Sequence, residues 1–301
     1  MEKQRRIGIS SKKLLSWLGI SRSKYYDWLS KDSFCISHNG VIPKSHWTLL
    51  WEKEAVIAYA QDHPAEGYRR LTYMMLDEDI AALSPSTVYR ILKKAGLLNR
   101  WNVVGPSSKK HGFVQPLKLH EHWHIDIKYV NFKGAFLFLI PIIDGYSKAI
   151  VHHELRTHMH ESDIEIVIQR ALEKYPDAKP RIISDNGTQF ISKDFSNYMK
   201  VVGLQHVRTS IMYPQSNGKI ERFNRTISEE CLRKISMIDL EDARRQLAEY
   251  IDYYNTKRLH SSLYYLTPDD FINNRVEVRL EERRKKLAAA KLDRMFYENA
   301  V

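Results

Sequence analysis

The chain has 301 residues, with 47 Lys and Arg against 36 Asp and Glu and a formal net charge of +11. That length leaves room for two or three domains and at least one substantial core; the positive excess favours a polyanionic partner, nucleic acid first, over a merely basic soluble protein. Two distant cysteines, Cys35 and Cys231, exclude a disulfide scaffold and a zinc finger, and the longest apolar run, residues 135–143, falls well short of the roughly 20 residues of a membrane helix, so a reducing cytoplasm and no membrane are expected.

Residues 10–29 divide into two short helical patterns around Gly19, Ile20 and Ser21. Leu14, Leu15 and Leu18 make one apolar stripe, and Tyr25, Trp28 and Leu29 make another. The first stretch is short and broken by Ser16, which makes a poor signal peptide. Ser21 is placed to cap the second helix, whose first turn carries Arg22 and Lys24. Residues 1–30 thus have the outline of a helix-turn-helix, whose second helix would enter the major groove; the plainer reading is a helical hairpin. A linker follows over residues 31–50.

A second helical module spans residues 51–100. Its last helix has Ser84 as N-cap, Pro85 at the first helical position and Gly96 just past the end. Val88, Ile91, Leu92 and Ala95 fall on one face, which leaves Tyr89, Arg90, Lys93 and Lys94 elsewhere. A basic face beside an aromatic suits DNA phosphates, although charged faces are commonly just solvated. Residues 101–118 read as a basic linker.

From residue 119 strand and helix signals alternate, which by itself says α/β. Strands are expected over residues 122–131 with Asp126 inside, 135–143, 149–156, 181–184 leading into Asp185, and 205–209. Pro141 donates no ladder hydrogen bond, so the second strand should bulge or end there. Helices are marked by Ile164, Val167, Ile168, Ala171 and Leu172, and then by Phe195, Tyr198, Met199 and Val202. A last core helix is capped by Asp239 and buries Leu240, Ala243, Leu247, Ile251 and Tyr254. The tail, residues 273–301, with Arg283, Arg284, Lys285 and Lys286, reads as a basic helix that is either solvated or in contact with DNA or a subunit.

Three carboxylates carry the chemistry. Asp126 and Asp185 sit on strands, and Glu221, separated from Asp185 by thirty-five residues, opens a helix. Such a set suits two hard, oxygen-seeking cations, Mg²⁺ with Mn²⁺ as a substitute, with Asp126 bridging both and Asp185 and Glu221 each holding one. Gly187 would allow a tight turn after Asp185. Ile220, Phe223 and Ile227 form the buried stripe of the Glu221 helix, which puts Lys219, Arg222 and Arg225 where phosphates could lie. Competing readings are a turn former for Asp185 and a first-turn residue favoured by the helix dipole for Glu221. Asp144 is the main decoy, and His122, His124, His152 and His153 read as ordinary strand residues.

The motifs WHIDIKYV, ISDNGTQF and PQSNGKIERFNRT resemble the three acid motifs of the DDE transposases of bacterial insertion sequences, in the superfamily that includes retroviral integrases. HPAEGYRRLTYMM with SPSTVYRILKKAGLL is similar to the helix-turn-helix region before their catalytic core, and YYNTKRLHSSLYYLTPDDF to the core's closing segment. The resemblance implies a ribonuclease-H-like core over residues 119–272 with a mixed five-stranded sheet. It also implies binding to the terminal repeats of a mobile element, metal-dependent strand cleavage, and transfer of the freed end into target DNA. Double-stranded DNA would be the partner, at least a dimer would pair two ends, and the bacterial nucleoid would be the place. Lys128 stands where relatives have a small hydroxyl residue, Ser228 where a basic one is common, and nothing matches the zinc module of retroviral integrases. The alternatives are a structure-specific nuclease on the same core and a catalytically inert DNA-binding regulator.

Overall fold

The computed structural model describes residues 11–30, 47–98, 115–208 and 218–296. It divides into two units, residues 1–49 with 288–301, and residues 50–287. Most of both expected linkers, Cys35, and the last residue of the expected fifth strand lie outside the described residues. Among the described residues no helix is long and apolar enough to cross a membrane.

In the first unit, α1 (Ser11–Trp17) and α2 (Arg22–Ser30) form the expected pair. Gly19 takes a left-handed φ of +65° that ends α1, and Ser21 Oγ accepts from Lys24 N at 3.3 Å as the cap of α2. Leu15 is buried, but Leu18 lies beyond the helix end and is exposed, so the expected stripe is shorter by one residue. The side chains of Trp28 and Leu29 lie outside the described ones.

The second unit begins with α3 (Leu50–Asp62), α4 (Tyr68–Asp77) and α5 (Pro85–Lys94). They close around Val56, Tyr59, Leu71, Met75, Val88 and Leu92. Local chemistry sets α5 as the sequence suggests: Ser84 Oγ accepts from Thr87 N, Pro85 opens the helix, and Gly96 leaves it with a φ of +72°.

The sheet that follows has β1 (His122–Ile125), β2 (Lys128–Phe132), β3 (Ala135–Asp144), β4 (Ile150–Arg156), β5 (Arg181–Ser184) and β6 (His206–Arg208). It is mixed: β3 is antiparallel to β1, β2 and β4, while β5 runs parallel to β1 and β6. The expected five strands are six, because the first is interrupted. β1 and β2 keep one register against β3, with Ile125 opposite Ile142 and Lys128 opposite Leu139. The gap between them faces Pro141, which has no N–H to give, and there the Asp126 carboxylate takes the Ile127 N–H at 2.9 Å instead. β3 itself runs through Pro141, and its irregularity against β4 falls between Ile142 and Ile143.

Helices cover both faces. α6 (Glu161–Lys174), the short α7 (Thr188–Ile191) and α8 (Lys193–Val201) pack on one side, where Trp123, Ile125, Ile142, Ile168, Ile182 and Phe195 form the core. On the other, α9 (Gly218–Ile227) and α10 (Leu240–Thr256) set Ile220, Phe223, Ile227, Leu247 and Tyr254 against Leu137, Leu139 and Ile143. Each such fully buried side chain contributes about 1.5–3 kcal/mol. A π turn, Ser228–Leu232, ends α9, where the Ser228 hydroxyl donates back to the Asn224 carbonyl at 2.7 Å. Asp239 caps α10 as expected, accepting from Asp242 N at 2.8 Å.

After α11 (Pro268–Ile272), α12 (Val276–Phe296) is helical as expected, but not all of its charge is solvated. Arg283 is buried: its Nε and Nη2 donate to the two Asp77 oxygens at 2.8 and 2.6 Å, and its guanidinium also serves the carbonyls of Tyr264 and Tyr265. Tyr265 in turn stacks on Tyr73 of α4, ring centroids 4.7 Å apart. Lys286 donates to the carbonyl of Leu76 at 3.0 Å, so α12 straps the early helices to the end of the core.

Candidate active site

The parallel register of β1 and β5, His124 opposite Ile183, carries on to Asp126 and Asp185 just beyond the two strands. Both carboxylates therefore leave neighbouring strands at the same edge of the sheet, the carboxyl end at which open α/β sheets place ligands. α9 brings the third acid, because Ile220, Phe223 and Ile227 bury one stripe and leave Glu221 exposed in its first turn.

Each acid is held differently. Asp126 is half-buried; Oδ1 accepts from its own neighbour Ile127 N, and Oδ2 accepts from Asn224 Nδ2 at 2.7 Å. Burial, joined by repulsion from Asp185 and Glu221, pushes its carboxyl up to about 6, against the pull of the Ile127 N–H. That coupling ties the three acids together electrostatically. Asp185 Oδ1 accepts from Gly187 N at 2.9 Å. Gly187 has an ordinary φ of −57°, so its contribution is space and not a special turn: a Cβ there would sit 3.1 Å from the same Asp185 oxygen. Among the described residues no three His, Cys, Asp or Glu side chains are gathered closely enough to grip a metal ion. The acids are neighbours in one electrostatic field, not a closed cage.

The remaining expected contacts sit on three helices. Lys219 is half-buried in the first turn of α9 beside Lys148, and burial together with that neighbour pulls its ammonium down to about 7. Arg222 and Arg225 are exposed on α9, with Arg225 Nε donating to Glu229 Oε1 at 3.0 Å. Arg90, Lys93 and Lys94 share an exposed face of α5, away from its buried Val88 and Leu92. Arg22 and Lys24 are exposed on α2, in the other unit.

Asp144, the decoy, is fully buried and accepts from His120 N, Tyr146 N, Ser147 N and Ser147 Oγ, which makes it the pin of its own turn. Burial holds the imidazoliums of His122 and His152 low and takes His153 to about 4, which fits neutral strand residues. Sequence reasoning missed Asn224, although its place one turn after Glu221 on the same helix was a usable signal. It also missed Lys148, whose backbone takes a φ of +62° behind the Asp144 turn. Lys128 lies half-buried on β2, its ammonium weakened by burial and supported by Asp126.

Chemically, a set of acids at a strand edge with basic side chains around it suits work on a phosphodiester. Residues 117–214 and residues 202–268 match two family models, each described as an integrase core domain, so the site belongs to an integrase-type core. Among the relatives is the transposase for insertion sequence element IS904 of Lactococcus lactis subsp. lactis (strain IL1403), 28% identical over 181 residues, 60% of this chain and 69% of that one. Another is the transposase InsD for insertion element IS2A/D/F/H/I/K of Escherichia coli, 26% identical over 225 residues, 70% of this chain and 75% of that one. The chain belongs to the DDE transposases of bacterial insertion sequences, within the integrase superfamily. Among solved structures, similarity is found to the simian T-cell lymphotropic virus intasome in complex with PP2A regulatory subunit B56 gamma. It has 16% identity and a TM-score of 0.45 over 72% of this chain and 73% of that one.

Proposed function

We propose that this transposase binds the terminal repeats of its element, cleaves at the element ends and joins each freed 3′ hydroxyl to target DNA, with Asp126, Asp185 and Glu221 as the catalytic, metal-holding carboxylates. The observation that carries this reading is the placement of Asp126 and Asp185 past adjacent parallel strands, with Glu221 acting on Asp126 together with Asp185.

The donors fit Mg²⁺, with Mn²⁺ as a substitute: three carboxylates with no thiolate or imidazole in the set, one of them raised to about 6 by burial and, after it, by its like-charged neighbours. When bound, two such ions offset the charge on the attacking and departing oxygens. The chain's own groups do the positioning. Asn224 fixes one Asp126 oxygen, the Gly187 N–H fixes one of Asp185, and Arg222 and Arg225 face outward to meet phosphates.

In the first step a water oxygen attacks phosphorus and displaces the 3′ oxygen, leaving a 3′ hydroxyl and a 5′ phosphate. In the second, that hydroxyl attacks a target phosphodiester; one P–O bond forms as another breaks, and the proton ends on the departing 3′ oxygen.

Lys219, with the exposed faces bearing Arg22, Lys24, Arg90, Lys93 and Lys94, would contact DNA. The layout is a first helix-turn-helix at 1–30, a second at 51–100, a linker at 101–118, the core at 119–272 and a tail from 273. Two element ends call for at least a dimer, at work on the nucleoid.

Incubation with Mg²⁺ and labelled DNA bearing the ends of the encoding element should give cleaved and joined products. Asp185→Asn should lose both while keeping DNA affinity; unchanged activity in that variant removes the assignment. Cleavage without joining would identify a nuclease, and binding alone a regulator.

A further inference from the structure

Behind the first turn of α9 lies a pocket of about 600 Å³. Three cations line it, Lys148, Lys219 and Arg222, and among the described residues no Asp or Glu does. Lys148 and Lys219 are held side by side. Asp144 acts on both, and Glu121 on Lys219, but neither carboxylate lines the pocket. The pocket thus has the charge of an anion site, and the start of α9 adds its own positive end.

Its other wall is aromatic. Tyr146 and Phe271 pack edge to face at 5.6 Å as part of the lining, and Tyr264 stands at the rim with 66% of its surface exposed. Tyr264 and Tyr265 both take left-handed backbone angles, φ +55° and +57°, which residues other than glycine avoid. The fold holds this pair open by giving both of their carbonyls to Arg283. Tyr265 turns inward onto Tyr73, whereas the Tyr264 ring is left in solvent. Strain maintained to present an aromatic ring at a cationic pocket is the kind found at ligand clamps.

We propose, on the reading of the acids given above, that this pocket seats one unpaired nucleotide of the DNA, its phosphate among Lys148, Lys219 and Arg222 and its base on the ring of Tyr264. A duplex shows its phosphates but keeps its base faces stacked, so it uses only the cations. An extruded or single-stranded nucleotide uses both walls.

The test measures the anisotropy of fluorescein-labelled oligothymidylate and of a labelled duplex with the full chain. Lys148→Asn and Tyr264→Gly are the informative variants, because Asn and Gly tolerate the left-handed backbone and neither adds strain. Tyr264→Gly should weaken oligothymidylate binding about tenfold. Lys148→Asn should weaken it several-fold and lower the salt slope by about 0.7. Tyr264→Gly should change duplex affinity by less than about twofold, since base stacking is not at stake there, whereas Lys148→Asn should weaken the duplex as well, because a duplex uses the cations. Either variant binding oligothymidylate like the wild type, or Tyr264→Gly losing both DNAs alike, overturns the proposal. Asp185→Asn separates the two readings: it should keep wild-type oligothymidylate affinity, and if it also still cleaves and joins, the acid assignment falls while the pocket stands.

Discussion

Asn224 Nδ2 donates to Asp126 Oδ2 at 2.7 Å, so the helix that carries Glu221 is tied directly to a strand-end carboxylate ninety-eight residues earlier. A hydrogen bond to an ionised group is worth about 1.5–3 kcal/mol, and this one favours the charged form of Asp126.

Asn224→Ala should therefore raise the Asp126 carboxyl further above its present value of about 6. The acidic limb of the pH profile for strand cleavage should move to higher pH, with DNA affinity unchanged. Superimposable profiles for variant and wild type would show that the contact does not reach the chemistry.

Asp126 also sets a pH dependence of stability. Its folded value of about 6 lies above the ordinary 3.8, so the folded state holds a proton that the unfolded chain releases. The stabilising contribution is complete below the ordinary value and is lost as pH rises through about 6. Without divalent cations, Asp126→Asn should accordingly be more stable than the wild type at about pH 8, by about 2–3 kcal/mol, with the gap closing near pH 4. Mg²⁺ should stabilise the wild type more than the variant. Thermal melts across pH measure both, and a less stable variant at high pH contradicts the assignment.

Asp77 is the partner of a buried guanidinium, and removing it leaves that charge without its carboxylate. Asp77→Ala should cost about 3 kcal/mol in urea unfolding. A loss below about 1 kcal/mol would mean the clamp acts as an exposed ion pair.

The α5 face gives the clearest trial of the helical module. Replacing Arg90, Lys93 and Lys94 together by Gln should leave the melting temperature in place, because all three side chains are exposed. Duplex affinity should fall, and the slope of log K against log salt should shrink by about 2.7 if all three meet phosphates. An unaltered slope would mark the face as merely solvated.

What could be read in the sequence was mostly what neighbouring residues decide. Ser84 and Pro85 at one end of α5 and Gly96 at the other each act through chemistry within a turn of their own place, and Ile220, Phe223 and Ile227 show their buried face by spacing alone. The three acids stood out as candidates because Asp126 sits in a strand motif, Asp185 at a strand-to-turn break and Glu221 at a helix start. The split of the first strand was not, since it depends on Asp126 lying across from Pro141 and taking a backbone N–H for itself. Asn224 on Asp126 and Arg283 on Asp77 join residues whose separation no periodic pattern records. The same holds for the basic tail, whose charge reads as solvent-facing until the fold supplies Asp77.

The Arg283 clamp also bears on how the protein comes into being. Its two halves are 206 residues apart, so ribosomes must deliver every residue between Asp77 and Arg283 before the contact can close. A nascent chain has all three acids before it has the guanidinium that props up Tyr264 and Tyr265. Delivery of α12 is thus built into the maturation of this region, and a copy broken off before Arg283 would carry its acids without that support.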